Sequence, residues 1–347
     1  MANGIVGIDI GSGSLRAVEV MDAAGSKPSV IRYHEVALPE GAVASGEVVE
    51  LNTVASAMRS LWTAGGFKSR DVVLGMGNQR VLARDLTVPK MSIDQIREAL
   101  PFQVQDLLLV PVADAILDFY PISEGVGENG PVVNGLLVAA VKQAVLANVR
   151  AAELAGLNPV GVDLIPFALS RVHLRGVASR GTIALIDVGS TTTSVIIAIN
   201  GVPQFVRIIP AGGNDITRAL ATRLEVTPAQ AEQIKRGLGL SAAGVAPEHR
   251  VALEAIFESA NQLLTSLRNT LSYFVNARQQ EGIGRIVLSG GGAKLRGFDA
   301  ALSEITKLPV SASNPFGEVN VNKAAAKSDA SGDSMSVALG LALGSKA

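Results

Sequence analysis

The sequence of 347 residues lacks cysteine, and this absence excludes disulfide bonds, thiolate metal sites and a cysteine nucleophile. Histidine is nearly as scarce: His34, His173 and His249 are too scattered along the chain to predict a zinc site. Aromatic residues make up only 4% of the chain, so we expect a core filled mainly by Ala, Val and Leu.

The chain also lacks an excess of charge and a long apolar run. Its 30 Lys and Arg against 31 Asp and Glu give a formal net charge of −1, which argues against electrostatic binding to nucleic acid or an anionic membrane. Asn134 and Asp187 interrupt the most apolar stretches, which stay below the about 20 residues of a membrane-spanning helix. Asp9 interrupts the first apolar segment, so we expect no secretory signal, and a cytoplasmic α/β protein with at least two compact units.

One pattern occurs twice. Asp9 and Asp187 each end an apolar, strand-like segment and are followed two residues later by a glycine and then by a serine. Each segment begins a series of three predicted strands, at 5–10, 15–20 and 29–38 in the first copy and at 183–188, 191–200 and 202–209 in the second. The repetition predicts two related halves that face one another.

The turns after these aspartates have the composition of phosphate-binding turns. Glycine lets the backbone approach an anion, and backbone N–H groups and hydroxyls then donate hydrogen bonds to it. An aspartate beside the phosphates suits magnesium or its water shell. Either turn alone is more typical of an ordinary β-hairpin, so it is the pair that favours phosphate binding.

A third glycine cluster follows the predicted strand 285–289. Gly290, Gly291 and Gly292 stand between this strand and a helix-like segment at 295–308, where a flat base can lie against the backbone. The sequence contains no P-loop motif and no Gly-x-Ser-x-Gly, and its one Gly-x-Gly-x-x-Gly, at 125–130, lies in a loop between two predicted strands instead of opening a helix. These absences argue against a P-loop enzyme, a Rossmann dehydrogenase and an α/β-hydrolase.

Three segments, 9–14, 187–192 and 289–297, resemble the two phosphate motifs and the adenosine motif of the actin-like ATPase superfamily. Within that superfamily the chain is similar to the PilM family of type IV pilus assembly, which is related to FtsA. The similarity to this family covers essentially the whole chain and includes residues outside the nucleotide motifs, at 84–92, 94–106, 137–141, 155–163 and 166–169.

The resemblance implies a duplicated actin-like (ribonuclease H-like) α/β fold with two large lobes. The first large subdomain would comprise residues 1–85 and 161–180, with a small α+β subdomain inserted at 86–160. The second would comprise 181–215 and 285–347, with a helical cap at 216–284. We expect the apolar last helix, 336–344, to pack in the second lobe.

The resemblance also implies which residues bind ATP and magnesium. Asp9 and Asp187 would face the magnesium ion through water. The residues implied in nucleotide binding are Gly11, Ser12, Gly13, Ser14, Arg16, Gly189, Ser190, Thr191, Thr192, Gly212, Gly213, Asp215, Glu232, Lys235, Gly290, Gly291, Gly292 and Leu295. For three of these residues the sequence allows a second interpretation. The spacing of Glu232 and Lys235 also fits a solvent-exposed ion pair, and Arg16 is also typical of an arginine on an exposed strand.

One departure from the family pattern bears on catalysis. The family usually has a glutamate before the proline that corresponds to Pro166, where an acidic side chain can orient the attacking water. In this chain the residue is Ile165, whose aliphatic side chain cannot do so. We therefore expect ATP to be bound but hydrolysed slowly or not at all, with Asp163 as the alternative catalytic candidate.

The resemblance implies a component of the pilus assembly platform at the inner membrane. It would bind the N-terminal cytoplasmic segment of a PilN-like membrane protein in a nucleotide-sensitive way, near residues 86–88 and 94–106, and reach the membrane only through that partner. Nucleic acid is not an expected partner, and self-association stays open. The alternatives are an FtsA-like membrane-tethered filament protein and a small-molecule kinase, although the chain lacks a basic amphipathic last helix and a large substrate subdomain.

Overall fold

The computed structural model describes residues 4–25, 27–44, 46–108, 110–240, 247–278, 282–322, 325 and 331–344. In chain order the strands are β1 (Ile5–Ile10), β2 (Ser14–Met21), β3 (Ser29–Ala37), β4 (Val43–Ala44), β5 (Glu47–Val48), β6 (Asp71–Met76), β7 (Val81–Pro89), β8 (Ala115–Gly127), β9 (Gly130–Val141), β10 (Asn158–Leu164), β11 (Thr182–Val188), β12 (Thr193–Ile199), β13 (Val202–Ile209), β14 (Arg285–Ser289), β15 (Val310–Ala312) and β16 (Asn320–Val321). The helices are α1 (Leu51–Gly65), α2 (Ile93–Gln103), α3 (Lys142–Leu154), α4 (Ile165–His173), α5 (Gly213–Leu224), α6 (Pro228–Leu238), α7 (Arg250–Ala277), α8 (Phe298–Thr306) and α9 (Ser336–Gly344).

The first sheet has the strand order β10-β6-β1-β2-β3-β16. Strands β1, β2 and β3 form the predicted antiparallel meander, and β6 pairs with β1 in parallel. Apolar side chains of β1 and β2, among them Val6, Ile8 and Leu15, are buried beneath α1. The core on this face is mainly aliphatic, as the low aromatic content predicts, and Phe67 is its buried aromatic side chain.

The second sheet repeats this arrangement in the order β13-β12-β11-β14-β15. Strands β11, β12 and β13 form an antiparallel meander, and β14 pairs with β11 in parallel, as β6 does with β1. Ile186, Val195 and Ile197 are buried with the apolar face of α7. The prediction of a duplicated α/β fold with two related halves is confirmed.

A third sheet, with the strand order β7-β9-β8, lies between β6 and β10 in the chain. Helix α2 packs on it through the buried side chains of Ile96 and Leu100. This helix starts where the sequence indicates, because Ser92 and Gln95 form a capping box that satisfies the first backbone N–H groups.

Helix α3 contacts both the first sheet and the insert. The predicted insert, 86–160, includes this helix, but its small residues Ala151 and Ala152 are buried against Val54 and Met58 of α1. Alanine on the contact face lets two helices approach closely, while Ala144 and Val145 at the start of α3 are buried with Leu136 of β9.

Helices α5, α6 and α7 lie in the range predicted as a helical cap. Helix α6 begins with a second capping box, formed by Thr227 and Gln230, with Pro228 at its first position. All three helices share one core with the second sheet. The division of the chain into four subdomains stays a prediction.

The last helix, α9, is placed differently from the prediction. It was expected in the second lobe, but Ala338, Leu339 and Ala342 pack against Val18 and Val20 of β2 in the first sheet. Strand β16 likewise pairs with β3. The apolar sequence of α9 predicts burial but does not say against which sheet, so residues 320–321 and 336–344 are a correction to the predicted second subdomain, 285–347.

In the described part of the chain, no helix combines the length and the apolar character needed to cross a membrane.

Candidate functional site

The turn after β1 and the turn after β11 face each other across a cleft between the two sheets. The hydroxyl oxygens of Ser12 and Thr191 lie 3.1 Å apart, although the two residues are 179 positions apart in the chain. The cleft has a volume of about 1030 Å³, the upper end of the about 300–1,000 Å³ typical of small-molecule sites. The structure thus brings together the two turns that the repeated pattern singled out.

The two turns have the same local geometry. The N–H of Gly11 donates to the carbonyl oxygen of Ser14 at 3.0 Å, and the N–H of Gly189 donates to that of Thr192 at 2.9 Å. Each hydrogen bond closes a tight turn whose residues line the cleft, and β1 and β11 each lead directly into such a turn. The similarity of sequence in the two halves is therefore a similarity of backbone shape.

Most of the predicted site residues line the cleft. These are Asp9, Gly11, Ser12, Gly13, Ser14, Arg16, Asp187, Gly189, Ser190, Thr191, Thr192, Gly213, Glu232, Lys235, Gly290, Gly291, Gly292 and Leu295. The predicted residues that do not line it are Gly212, Asp215 and Asp163.

These three residues support neighbouring structure instead. A Cβ atom on Gly212 would lie 2.6 Å from the carbonyl oxygen of Gly189, so this glycine lets α5 start directly behind the second turn. Asp215 caps α5 by accepting a hydrogen bond from the N–H of Gly212 at 2.7 Å. Asp163 forms an ion pair with Arg171, and the pair lies outside the cleft lining.

The two predicted metal-facing carboxylates end equivalent strands, with Asp9 buried and Asp187 half-buried at the cleft. Burial raises the pKa of Asp9, and the Arg16 guanidinium beside it opposes that rise. Burial also raises the pKa of Asp187 to about 6, against the hydrogen bond from Ser289. A nearby cation would lower the cost of keeping these two carboxylates ionised.

Lys235 is buried at the cleft wall rather than solvated. Its Nζ donates to the carbonyl oxygen of Gly213 at 3.1 Å and to the hydroxyl of Thr217 at 2.8 Å, and pairs with Glu232 at 2.6 Å. Burial alone would raise the pKa of Glu232, but hydrogen bonds from Lys235, Arg236 and Thr217 lower it to about 2. The ion pair that the spacing allowed exists, and it holds both side chains at the cleft.

The third glycine turn packs against the end of β11. Gly290 has φ of 93°, a left-handed conformation that favours glycine, and a Cβ atom on Gly292 would lie 2.6 Å from Val188 Cγ1. A Cβ atom on Gly291 would have no neighbour within 4 Å. Two of these glycines are therefore needed for packing, while the middle one borders open space.

Ile165, the residue that departs from the family pattern, does line the cleft. It opens α4 and packs against the glycines that follow β6: a Cβ atom on Gly77 would lie 2.7 Å from Ile165 Cβ. The position of the expected acid is thus occupied by an aliphatic side chain.

Sequence reasoning missed several polar residues of the cleft, among them Glu35, Ser334 and Ser336. Glu35 lies on β3 directly opposite Arg16 of β2. The register of the predicted β2–β3 hairpin could have found it, whereas Ser334 and Ser336 reach the cleft only because α9 packs on the first sheet.

The cleft residues fit an adenine nucleotide with magnesium. In the described part of the chain, the buried Oγ of Ser336 and the buried Nε of Arg16 have no hydrogen-bond partner, although both residues line the cleft. No group of three or more His, Asp or Glu side chains is gathered into a metal site among these residues. One or two carboxylates combined with phosphate oxygens are a usual magnesium environment, and Asp9 and Asp187 provide the carboxylates.

Known proteins share this architecture. A solved structure described as a PilM-PilN type IV pilus biogenesis complex is similar over 98% of this chain and 97% of that chain, with a TM-score of 0.80 and 27% identity. MreB5 of Spiroplasma citri bound to ADP is similar over 98% of this chain and 95% of that chain, with a TM-score of 0.52 and 14% identity, a likeness of fold. The cell division protein FtsA of Bacillus subtilis (strain 168) is 23% identical over 350 residues, or 89% of this chain and 78% of FtsA.

The family assignment rests on nearly the whole chain. Residues 7–346 match the family described as "Type IV pilus assembly protein PilM". The two facing turns, the third glycine turn and, apart from the first two residues of β1, both duplicated sheets lie within that range. The chain therefore belongs to the PilM family of actin-like proteins of type IV pilus assembly.

Proposed function

We propose that this actin-like protein binds ATP with magnesium in the cleft and, in a nucleotide-sensitive way, holds the N-terminal cytoplasmic segment of a PilN-like membrane protein. The observation that carries the nucleotide part is the 3.1 Å approach of Ser12 and Thr191, which places the two phosphate-type turns on opposite sides of one cleft. If both lobes bind the same nucleotide, the angle between the lobes would depend on whether the nucleotide is bound.

Each side of the cleft has a separate task in this proposal. Hydroxyl and N–H groups of the two turns bind the β- and γ-phosphates, while Asp9 and Asp187 hold magnesium through water. Lys235 and Glu232 contact the ribose, and Gly291 and Leu295 border the adenine. Magnesium, when bound, neutralises phosphate charge; the positioning is done by the chain.

Hydrolysis is slow or absent in this proposal because no acid stands at the start of α4. Ile165 lines the cleft where an acceptor would orient water, and Asp163 is bound to Arg171 outside the lining. An aliphatic group neither accepts a proton nor aligns a water molecule. The bound nucleotide then acts by holding the two lobes together, and its hydrolysis plays little or no part.

Isothermal titration calorimetry with ATP, with and without magnesium, tests the nucleotide part directly. The wild-type chain should bind ATP, and Lys235→Met should weaken binding about tenfold by removing a buried cation. Lys142→Met, which changes an exposed lysine at the start of α3, is the matched control. Absence of ATP binding by the wild-type chain would refute this part of the function.

The partner part of the proposal draws on the similarity to a solved PilM-PilN complex. Of the residues predicted near the partner, Val88 is buried in the core of the insert and is unavailable to another chain. In the predicted segment 94–106, Phe102 is 80% exposed. A second exposed surface is β10, the edge strand of the first sheet, on which Val160 and Val162 are 52% and 39% exposed. An edge strand with exposed valines suits addition of an extended segment.

The seam between the insert and the first sheet lies close to β10. The rings of Tyr120 in β8 and Phe167 in α4 are 4.6 Å apart, and Arg171 of α4 pairs with Asp163 of β10. Helix α4 also begins with the cleft residue Ile165. One short helix therefore touches the nucleotide cleft, the insert and the edge strand, which supports nucleotide sensitivity of the partner site. Attachment to the inner membrane would follow from the partner.

A further inference from the structure

Arg16 is shared by two carboxylates at the wall of the cleft. Its Nη1 donates to Oδ2 of Asp9 at 3.1 Å, and its Nη2 pairs with Oε1 of Glu35 at 2.9 Å. Asp9 lies at the end of β1 and Glu35 on β3, so the guanidinium of β2 is held from both neighbouring strands.

Glu35 also contacts two serines of the cleft. The hydroxyl of Ser334 donates to its Oε2 at 3.2 Å, and the hydroxyl of Ser14 donates to the same carboxylate. Burial alone would raise the pKa of Glu35, but the bond from Ser14 and the charge of Arg16 lower it. The carboxylate is thus ionised at neutral pH and connects β2, β3 and the segment before α9.

Ser14 belongs to the turn that the proposed function assigns to the phosphates, and Arg16 lines the same cleft and is among the residues predicted to bind the nucleotide. Without Glu35, the Arg16 guanidinium has Asp9 as its remaining carboxylate partner. A guanidinium binds a single carboxylate most favourably through two parallel N–H groups, a geometry that turns it toward Asp9 and occupies both carboxylate oxygens. Asp9 would then be less available to magnesium.

We propose that Glu35 is a positioning residue of the nucleotide cleft, which holds Arg16 and Ser14 toward the phosphates and keeps the Asp9 carboxylate from being fully occupied by Arg16. This inference rests on the proposed function, because it assumes that the cleft takes a nucleotide. It adds a residue that lies outside all three glycine motifs and touches the ligand only through others.

The same hairpin contains a matched control. Glu19 of β2 pairs with Arg32 of β3 at 2.9 Å, and the two residues are directly opposite each other in the same strand register as Arg16 and Glu35. Glu19 and Arg32 do not line the cleft. Glu19→Gln therefore removes an equivalent cross-strand pair without touching the site.

Calorimetric titrations of wild type, Glu35→Gln and Glu19→Gln with ATP, ADP and adenosine test the proposal. Glu35→Gln should weaken ATP binding in the presence of magnesium about tenfold. In this variant one or two cleft side chains are no longer held in place, and ATP binding has to order them at a cost in affinity. Adenosine, which lacks phosphates, should bind with unchanged affinity. Magnesium should also strengthen ATP binding less in Glu35→Gln than in wild type, while Glu19→Gln should match wild type throughout.

A second variant tests the same contact in case Glu35→Gln does not fold. Ser334→Ala removes one anchor of Glu35 and should change ATP binding in the same direction by a smaller factor. The proposal is overturned if Glu35→Gln binds ATP as tightly as wild type or more tightly, or if adenosine affinity falls by the same factor. If the wild-type chain binds no ATP, the proposed function fails and this inference fails with it.

Discussion

Gly7 of β1 lies directly beneath Ala342 of α9, so closely that a Cβ atom on the glycine would stand 2.7 Å from the backbone nitrogen of Ala342. It would also collide with the carbonyl oxygen of Ala338. The first and last described elements of the chain are therefore in backbone contact, and the absence of one side chain allows it.

Gly7→Ala should destabilise the protein, because the added methyl group meets backbone atoms that cannot rotate away. We expect a loss of about 1–3 kcal/mol in the free energy of unfolding, measured by urea denaturation. Gly161→Ala is the matched control, since it is also a strand glycine but a Cβ atom there has no neighbour within 4 Å. Equal stability of the two variants would contradict the close packing of α9 on β1.

The buried His173 should make stability depend on pH. Burial lowers its pKa from 6.5 to about 4, so between these values the unfolded chain binds a proton that the native chain does not. Stability from this residue is fully present above pH 6.5 and is lost as the pH falls toward 4, by up to about 3 kcal/mol.

His173→Gln should remove this dependence, so the difference in unfolding free energy between variant and wild type should change between pH 7 and pH 5. Asp187, whose pKa burial raises to about 6, acts in the opposite direction. Its contribution cancels in the difference between the two proteins. A difference that stays constant over this range would show that His173 titrates normally in the native protein.

Ile165→Glu should raise ATP turnover. A carboxylate at the start of α4 can orient or deprotonate water, an effect worth about 10²–10⁴-fold in enzymes, and we expect at least about tenfold here because the site is not adapted to the new side chain. Phosphate release measures the rate. Ile165→Leu adds no acceptor and should leave turnover at the wild-type level, and fast turnover in wild type would show that another group activates the water.

Val160→Asp should weaken binding of a PilN-like N-terminal peptide. The new charge would have to be desolvated at an edge strand that adds an extended segment, and we expect a loss of about tenfold or more in affinity. Val202→Asp is the control, because Val202 is 39% exposed on β13, the edge strand of the second sheet. Fluorescence anisotropy of a labelled peptide distinguishes the two, and equal effects would move the partner site away from β10.

The sequence predicted those features of the structure that depend on residues close together in the chain. The repeated Asp-x-Gly-Ser turns were predicted from residues 9–12 and 187–190, because glycine, small hydroxyls and flanking apolar strands suffice to specify such a turn. The start of α2 was equally visible in its capping residues. The positions of α3 and α9 were not, because alanine-rich and uniformly apolar helices can pack on several surfaces.

The sequence by itself determined that this chain folds as two related halves with glycine turns at the ends of β1 and β11, since strand patterning and turn chemistry act over a few residues. Tertiary structure decided that Ser12 meets Thr191, that Glu35 and Ser334 join the cleft, and that α9 returns to the first sheet. These contacts join residues far apart in the chain, and their energy depends on shape and burial that exist only once both sheets have packed.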